Sequence, residues 1–206
     1  RITVDDVMDE VREQAERDYQ LASGLSQDVE TDDNVFRQTT ARLPWLLIGM
    51  LGGIGNSMIL GNFDTTFAAH PEMALYIPLI GGTGGNVGTQ SSALVVQGLA
   101  NSSLSAENTF KQVLKESVVA LINATIISML VYIYNFIRFG ASATVSYSVS
   151  ISLFAVVMFA SIFGTLVPMT LEKLKVDPAI ATGPFISITN DIIGMLMYMG
   201  ITVLLA

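Results

Sequence analysis

Hydrophobic residues follow two patterns along this chain, a spaced pattern near the N-terminus and long continuous runs after it. Over residues 4–22, apolar side chains recur every three or four positions and acids fill much of the rest, which predicts an amphipathic helix. Thr3, with acids just after it, is suited to cap this helix, and Gly24 is suited to end it. Residues 25–33 then read as a polar, acidic linker.

Five hydrophobic runs follow, each long enough to cross a bilayer core of about 30 Å as a helix. They lie at residues 44–63, 73–99, 113–137, 145–171 and 178–206. A short segment, 34–43, leads into the first of them. The pattern therefore predicts an all-α membrane protein with five transmembrane helices per subunit.

Composition supports a membrane class and excludes others. The chain is 51% hydrophobic and 14% charged, and eleven of its eighteen acidic residues lie within the first 33 positions. The basic patch of a nucleic-acid-binding protein is absent, so no nucleic-acid partner is expected. The sequence has no cysteine, which excludes disulfides and thiolate metal sites. Because the chain opens at Arg1 within what reads as a folded element, we expect it to be part of a longer protein.

Basic residues beside the runs predict the orientation in the cell membrane. With the N-terminus in the cytoplasm, the internal flanks hold six Lys or Arg residues and the external flanks hold one, Arg138. The internal six are Arg37, Arg42, Lys111, Lys115, Lys173 and Lys175. We therefore expect a multi-pass protein with a cytoplasmic N-terminus and an external C-terminus.

Asp191 is the single acidic residue in the last hydrophobic run. An ionised carboxylate near mid-membrane costs roughly 2.5–3.5 kcal/mol on insertion scales and usually marks an ion pathway. Gly183, Ser187, Asp191 and Gly194 recur at spacings of four, four and three residues, which predicts one small, polar helical face. The alternative is a carboxylate that hydrogen-bonds within a helix–helix contact.

The second hydrophobic run contains the glycine-rich stretch 77–92. Pro78 and the glycines disfavour regular helix, at about 1 kcal/mol per glycine relative to alanine. We therefore expect non-helical backbone that lines water and offers oxygen ligands beside Asn86 and Thr89. A glycine-rich packing seam without a pore is the alternative.

The candidate ligands are all oxygen atoms, from carboxylate, amide, hydroxyl and carbonyl groups. Such sets suit hard divalent cations, and Mg²⁺ in particular keeps several waters and takes only one or two carboxylates. An odd number of spans with one central acid suggests that a two-fold dimer builds the site. Two other functions stay open: an ion-coupled carrier or exchanger of divalent cations, and an enzyme with an aspartic dyad across the dimer. We expect no enzyme and no catalytic residue.

Four stretches of the sequence resemble the MgtE magnesium channel family. They are ITVDDVMDEV (2–11), LPWLL (43–47), IPLIGGTGGNVGTQSSALVVQGLA (77–100) and KVDPAIATGPFISITNDIIGMLMY (175–198). The first resembles the end of that family's second CBS domain, and the others resemble its membrane domain. The resemblance divides the chain into 1–33, the end of a cytosolic CBS domain and an acidic linker; 34–43, the connecting plug helix; and 44–206, the pore domain.

The resemblance implies a homodimer in the lipid bilayer that conducts hydrated Mg²⁺ down its electrochemical gradient. Its pore lies at the two-fold axis, and Mg²⁺ is the transported ion as well as the ligand. The ion-binding positions fall on Asp191 and, through a backbone carbonyl, Ser187. Pore-lining positions fall on Gly82, Gly85, Asn86, Thr89, Gly183 and Pro184. Nucleotide regulation is implied only through cytosolic regions that this chain does not include.

Overall fold

The computed structural model describes residues 3–26, 29–101, 103–105, 108–140 and 144–205. Throughout these residues the secondary structure is helical, without a strand, as the pattern predicts. Residues 27–28 of the predicted linker and residue 206 of the last predicted span lie outside the described residues. Seven α-helices and two short 3-10 helices follow one another in this part of the chain.

Helix α1 (Val4–Ala22) is the predicted amphipathic helix, and it begins with a capping box. The Thr3 hydroxyl accepts the backbone N–H of Asp6, and the Asp6 carboxylate accepts the N–H of Thr3. This pairing satisfies two backbone donors that a helix start leaves unpaired. None of the α1 residues is buried, so the helix lies beside the membrane bundle and not inside it.

Helix α2 (Val35–Gly61) joins two segments that the sequence pattern separated. Asn34 caps it, and the helix continues through Pro44 without a break. Residues 35–43 are therefore the first turns of the 27-residue helix that contains the first predicted span. Pro44 removes one intrahelical hydrogen bond but does not end the helix.

The prediction of non-helical backbone in the glycine-rich stretch was wrong. After the short helix α3 (Asp64–Ala69) and a 3-10 helix (Pro71–Tyr76), α4 runs unbroken over Ile77–Ala100. Pro78 lies in its first turn, where a missing N–H costs no hydrogen bond. Close packing against neighbouring helices stabilises the glycine positions, which offsets their intrinsic preference for other conformations.

Three long helices complete the fold. Helices α5 (Thr109–Phe139) and α6 (Thr144–Lys173) contain the third and fourth predicted spans. The last predicted span, 178–206, begins instead as a 3-10 helix (Pro178–Ala181), and α7 (Gly183–Leu205) follows it.

Helix α6 lies at the centre of the bundle and packs against α4, α5 and α7. Fully buried α6 side chains include Val149, Leu153, Val156 and Val157. Helix α2 lies outside this core and packs mainly on α7, where a Cβ added to Gly52 would lie 2.4 Å from Ile188 Cγ2. The glycine therefore allows α2 to lie close to α7.

Among the described residues, four helices are long and apolar enough to cross a membrane: α2, α5, α6 and α7. Helix α4 has 24 residues and is long enough, but its most apolar membrane-length stretch has a lower mean hydropathy than those of the other four helices. Packing against α6 and α7 buries the glycines of this helix at positions 81, 84, 85 and 88.

Candidate functional site

Asp191 and Ser187 lie one turn apart on α7 and face two glycines of α4. A Cβ added to Gly81 would lie 3.5 Å from Asp191 Oδ1. A Cβ added to Gly85 would lie 2.8 Å from Ser187 Oγ and 3.4 Å from Asp191 Oδ1. The structure thus brings together Asp191, Ser187 and Gly85, which the sequence analysis singled out and which lie on two helices about a hundred positions apart in the sequence.

The Asp191 carboxylate is half-buried and has no partner among the described residues. No cation forms an ion pair with it and no group donates a hydrogen bond to it there. This geometry disagrees with the alternative of a carboxylate hydrogen-bonded within a helix contact. A carboxylate held beside bare backbone is free to accept hydrogen bonds from water or from a hydrated cation.

We call the space where Asp191 and Ser187 of α7 face Gly81 and Gly85 of α4 the Asp191 groove. Three other predicted pore-lining residues lie beside it on α4. Gly82 and Asn86 are exposed and Thr89 is partly exposed, and their spacing of four and three residues puts them on one face. A Cβ added to Gly82 would have no atom within 4 Å. We call these three residues the α4 strip; it is a small, polar surface on an otherwise membrane-like bundle.

Gly183 and Pro184 lie at a junction between α7 and the N-terminal segment. Gly183 has a φ of +48°, and a Cβ there would lie 2.1 Å from the Ala22 carbonyl oxygen. A Cβ on Gly24 would lie 2.6 Å from Pro184 Cγ and 3.7 Å from Trp45 Cβ. The start of α7 therefore packs tightly on the end of α1.

Gly194, the last residue of the predicted four-residue stripe, packs next to α6. A Cβ on Gly194 would lie 3.2 Å from Val156 Cγ1, on the side of α7 that packs on α6. A Cβ on Gly84 of α4 would lie 2.9 Å from the same Val156 atom, so Gly194 lies where α4, α6 and α7 meet.

Asn190, which sequence reasoning missed, is fully buried beside Asp191. Neither polar atom of its amide has a partner among the described residues. Its Nδ2 lies 1.9 Å from where a Cβ on Gly88 would be, and a Cβ on Gly164 would lie 2.3 Å from the Gly88 carbonyl oxygen. Helices α4, α6 and α7 therefore meet at Gly88. The only feature of the sequence that could have indicated Asn190 is its position next to Asp191, the single acid of the last hydrophobic run.

A cavity of about 650 Å³ separates α1 from the loop before α7, with Asp18 and Asp177 on its walls. Burial raises the pKa of Asp18, and the nearby charge of Asp177 raises it further, against the opposing effect of Arg17. Two acids thus approach each other where the N-terminal helix contacts the membrane bundle.

No group of three or more His, Asp and Glu residues that could hold a metal occurs in the part of the chain that the structure describes. The Asp191 carboxylate lies beside the neutral residues Ser187, Gly81 and Gly85. A site of this kind suits an ion that keeps its own water ligands.

The sequence profile of the MgtE family, described as a divalent cation transporter, matches residues 77–201. This stretch contains all of α4 and most of α7, including the four residues of the Asp191 groove. The chain belongs to the MgtE family.

Three curated relatives match nearly all of the chain, and each is named magnesium transporter MgtE. The protein from Bacillus subtilis is 33% identical over 200 residues, which is 97% of this chain and 44% of the relative. The Thermus thermophilus protein is 31% identical over 210 residues, which is 99% of this chain and 45% of the relative. The Enterococcus faecalis protein is 29% identical over 200 residues. The chain thus spans less than half the length of these MgtE proteins.

Proposed function

We propose that this chain forms the pore of a Mg²⁺-selective channel that conducts the hydrated ion down its electrochemical gradient. The observation that carries the proposal is the unpaired Asp191 carboxylate beside Gly81 and Gly85. Membership in a family of divalent cation transporters and the printed names of the relatives support Mg²⁺ as the substrate. No chemical transformation is needed for this function, so we propose no enzymatic activity.

The hydrated form of the ion follows from the ligands present. Mg²⁺ loses water reluctantly and favours octahedral coordination, whereas one chain provides a single carboxylate. In the proposed site, Asp191 accepts hydrogen bonds from the ion's water ligands, and the Ser187 backbone carbonyl lies one turn away. Conduction then avoids the slow removal of water.

A two-fold homodimer would complete the pore. The α4 strip of Gly82, Asn86 and Thr89 leaves the polar side of α4 uncovered in one chain. Pairing two such strips near an axis would place two Asp191 carboxylates around one ion and shield the polar face from lipid. In this arrangement α4 is the fifth transmembrane helix, and its low hydropathy is expected because it lines water.

The membrane potential alone is a sufficient driving force. A divalent ion gains about 4.6 kcal/mol per 100 mV, at roughly 2.3 kcal/mol per charge. With the N-terminus in the cytoplasm, the potential would draw Mg²⁺ inward past Asp191.

We further propose that cytosolic Mg²⁺ inhibits conduction through the acidic N-terminal segment. Asp18 and Asp177 repel each other across the cavity between α1 and the loop before α7. A divalent cation between them would offset that repulsion. Mg²⁺ would then favour the state in which α1 packs against the start of α7. Gly24 and Gly183 provide the close contact that this state requires.

Flux into liposomes that contain the intact protein tests the central proposal. A K⁺ diffusion potential, with no Na⁺ or proton gradient, should drive Mg²⁺ uptake that a fluorescent indicator reports. Uptake that requires a Na⁺ or proton gradient would instead identify an ion-coupled carrier. Absence of uptake under every gradient would reject transport by this chain.

A further inference from the structure

Glu116 is a second carboxylate inside the helix bundle, and it joins three helices. It lies on α5 and is 9% exposed. The Ser91 hydroxyl of α4 donates a hydrogen bond of 2.7 Å to Glu116 Oε1, and the Ser161 hydroxyl of α6 donates to the same oxygen. The two hydroxyl oxygens lie 2.9 Å apart. We call these three residues the Glu116 clamp.

A carboxylate in this position is costly unless hydrogen bonds compensate for its lost hydration. Hydrogen bonds to a charged acceptor are stronger than those between neutral groups, and they require defined distances and directions. Since the two donors come from different helices, the clamp fixes where α4 and α6 lie relative to α5. An apolar contact of the same size would tolerate sliding and rotation.

The clamp lies close to the Asp191 groove along α4. Ser91 is six residues after Gly85, which corresponds to about 9 Å along a helix. Between them lies Gly88, which packs against Gly164 of α6 and Asn190 of α7. Ser161 lies three residues before Gly164, so it shares that side of α6.

These contacts have complementary effects on α4. The Gly88 crossing allows close approach, but a glycine contact does not by itself define rotation about the helix axis. The clamp supplies a directional contact one turn further along α4, through Ser91. Together they determine which residues of α4 face α7.

We infer that Glu116 is a positioning residue that holds α4 so that Gly81 and Gly85 face Asp191. This inference rests on the proposed function of the Asp191 groove in Mg²⁺ conduction. Glu116 itself does not contact the ion in this arrangement.

The surroundings of Glu116 favour positioning over cation binding. A cavity of about 540 Å³ adjoins the clamp, and its other polar walls include Gln90, Gln112 and Asn123. Lys115 also lines the cavity, and its positive charge opposes a bound divalent cation. Cation binding by Glu116 is therefore the competing outcome that the experiment separates.

The test compares Glu116→Gln with Glu116→Ala in the intact protein. Glutamine keeps the Oε1 acceptor and the side-chain shape but removes the charge, whereas alanine leaves both serine hydroxyls without their acceptor. Asn123→Ala is the matched control, because it shortens another side chain of the same cavity wall on α5. If Glu116→Ala does not fold, the double variant Ser91→Ala with Ser161→Ala replaces it, because it removes both hydrogen-bond donors of the clamp.

Two measurements are made on equal amounts of folded protein: Mg²⁺ flux against Mg²⁺ concentration, and the α4–α7 distance. The distance comes from spin labels on cysteines introduced at Leu94 and Leu196, both exposed, with labelled subunits diluted by unlabelled ones. We expect Glu116→Ala to raise the half-saturating Mg²⁺ concentration about tenfold and to broaden the distance distribution. Glu116→Gln and Asn123→Ala should stay within about twofold of the parent in concentration and keep its distance.

Three results would overturn the inference. The first is parent-like affinity and distance in Glu116→Ala. The second is a loss of total flux that disappears when flux is compared at equal amounts of folded protein. The third is an equal loss of affinity in Glu116→Gln and Glu116→Ala, which would show that the charge itself acts on the ion. The spin-label distance does not depend on transport, so it tests positioning even if Asp191→Ala were to show that the proposed function is wrong.

Discussion

Ser187 Oγ of α7 lies 2.8 Å from the position that a Cβ on Gly85 of α4 would occupy. Because this separation is below normal carbon–oxygen contact, a side chain at 85 forces α4 and α7 apart or displaces Ser187. The same position lies 3.4 Å from Asp191 Oδ1. The glycine therefore sets the width of the groove in front of Asp191.

Gly85→Ala should accordingly impair Mg²⁺ flux while the protein stays folded. We expect a destabilisation of about 1–3 kcal/mol from overpacking and a clear fall in flux through liposomes. Gly200→Ala on α7 is the matched control, because a Cβ there meets nothing within 4 Å. The control should be neutral or stabilised by up to about 1 kcal/mol through helix propensity. Parent-like flux in Gly85→Ala would show that the groove width is not limiting.

Gly164→Ala should be among the most destabilising glycine substitutions. Its Cβ would lie 2.3 Å from the Gly88 carbonyl oxygen, and backbone cannot move aside as a flexible side chain can. We expect a loss of about 3 kcal/mol or more, measured as a lower thermal unfolding midpoint in detergent. Gly53→Ala, where a Cβ would have open space, provides the comparison. Equal midpoints for the two variants would contradict the close crossing of α4 and α6.

Asp191→Asn and Asp191→Ala should abolish or greatly weaken Mg²⁺ transport and leave the folded assembly intact. Either change removes the negative charge that would attract the hydrated ion. Asp64→Asn is the matched control, because Asp64 is an exposed acid on α3 outside the groove. Flux assays and size-exclusion chromatography separate loss of transport from loss of fold. Transport at the parent rate in Asp191→Ala would reject the assigned role of this residue.

Asn86→Cys should form a cross-link between two subunits if the α4 strip lies near a two-fold axis. The sequence has no cysteine, so any disulfide must come from the introduced residue. Ile126→Cys on the exposed side of α5 is the control that should stay uncrosslinked. Denaturing gels after mild oxidation in membranes measure the outcome. A monomer that still conducts, found by mass measurement, would exclude a shared pore.

The contact of α1 with the membrane bundle should weaken as pH rises and strengthen in high Mg²⁺. Burial and the Asp177 charge raise the pKa of Asp18, so the folded state favours the protonated acid. This stabilisation is complete below the ordinary pKa of an aspartic acid, and it is lost as pH rises through the raised pKa of Asp18. Hydrogen exchange of α1 at several pH values and Mg²⁺ concentrations measures the effect.

Asp18→Asn should remove most of this dependence, whereas Asp9→Asn, at an exposed α1 position, should keep it. Flux through the 206-residue chain should also show weaker inhibition by internal Mg²⁺ than flux through the intact protein. Full inhibition at the same internal concentration would place the whole sensor within this chain, against the prediction. The alternative is that α1 is an ordinary solvated helix, in which case its hydrogen exchange should respond neither to Mg²⁺ nor to pH.

Much of the fold could be predicted from local patterns. The periodicity of α1 and the long apolar runs depend on neighbours within a few turns, so they are visible in the sequence. The glycine-rich helix α4 could not be predicted in the same way, because its stability comes from close contacts with α6 and α7. Local propensity indicated broken backbone there, and tertiary packing overrode it.

The sequence by itself determined the residue types available for chemistry: one acid in the last span, glycines in the second, and no thiolate ligands. It also determined the helical class, because membrane-length apolar runs have few other ways to satisfy their backbone. Only the tertiary structure decided that Gly81 and Gly85 face Asp191, that Gly194 faces Val156, and that Glu116 is held by two serines. Those relationships depend on the rotation of each helix about its axis, which residues distant in the sequence fix through packing and hydrogen bonds.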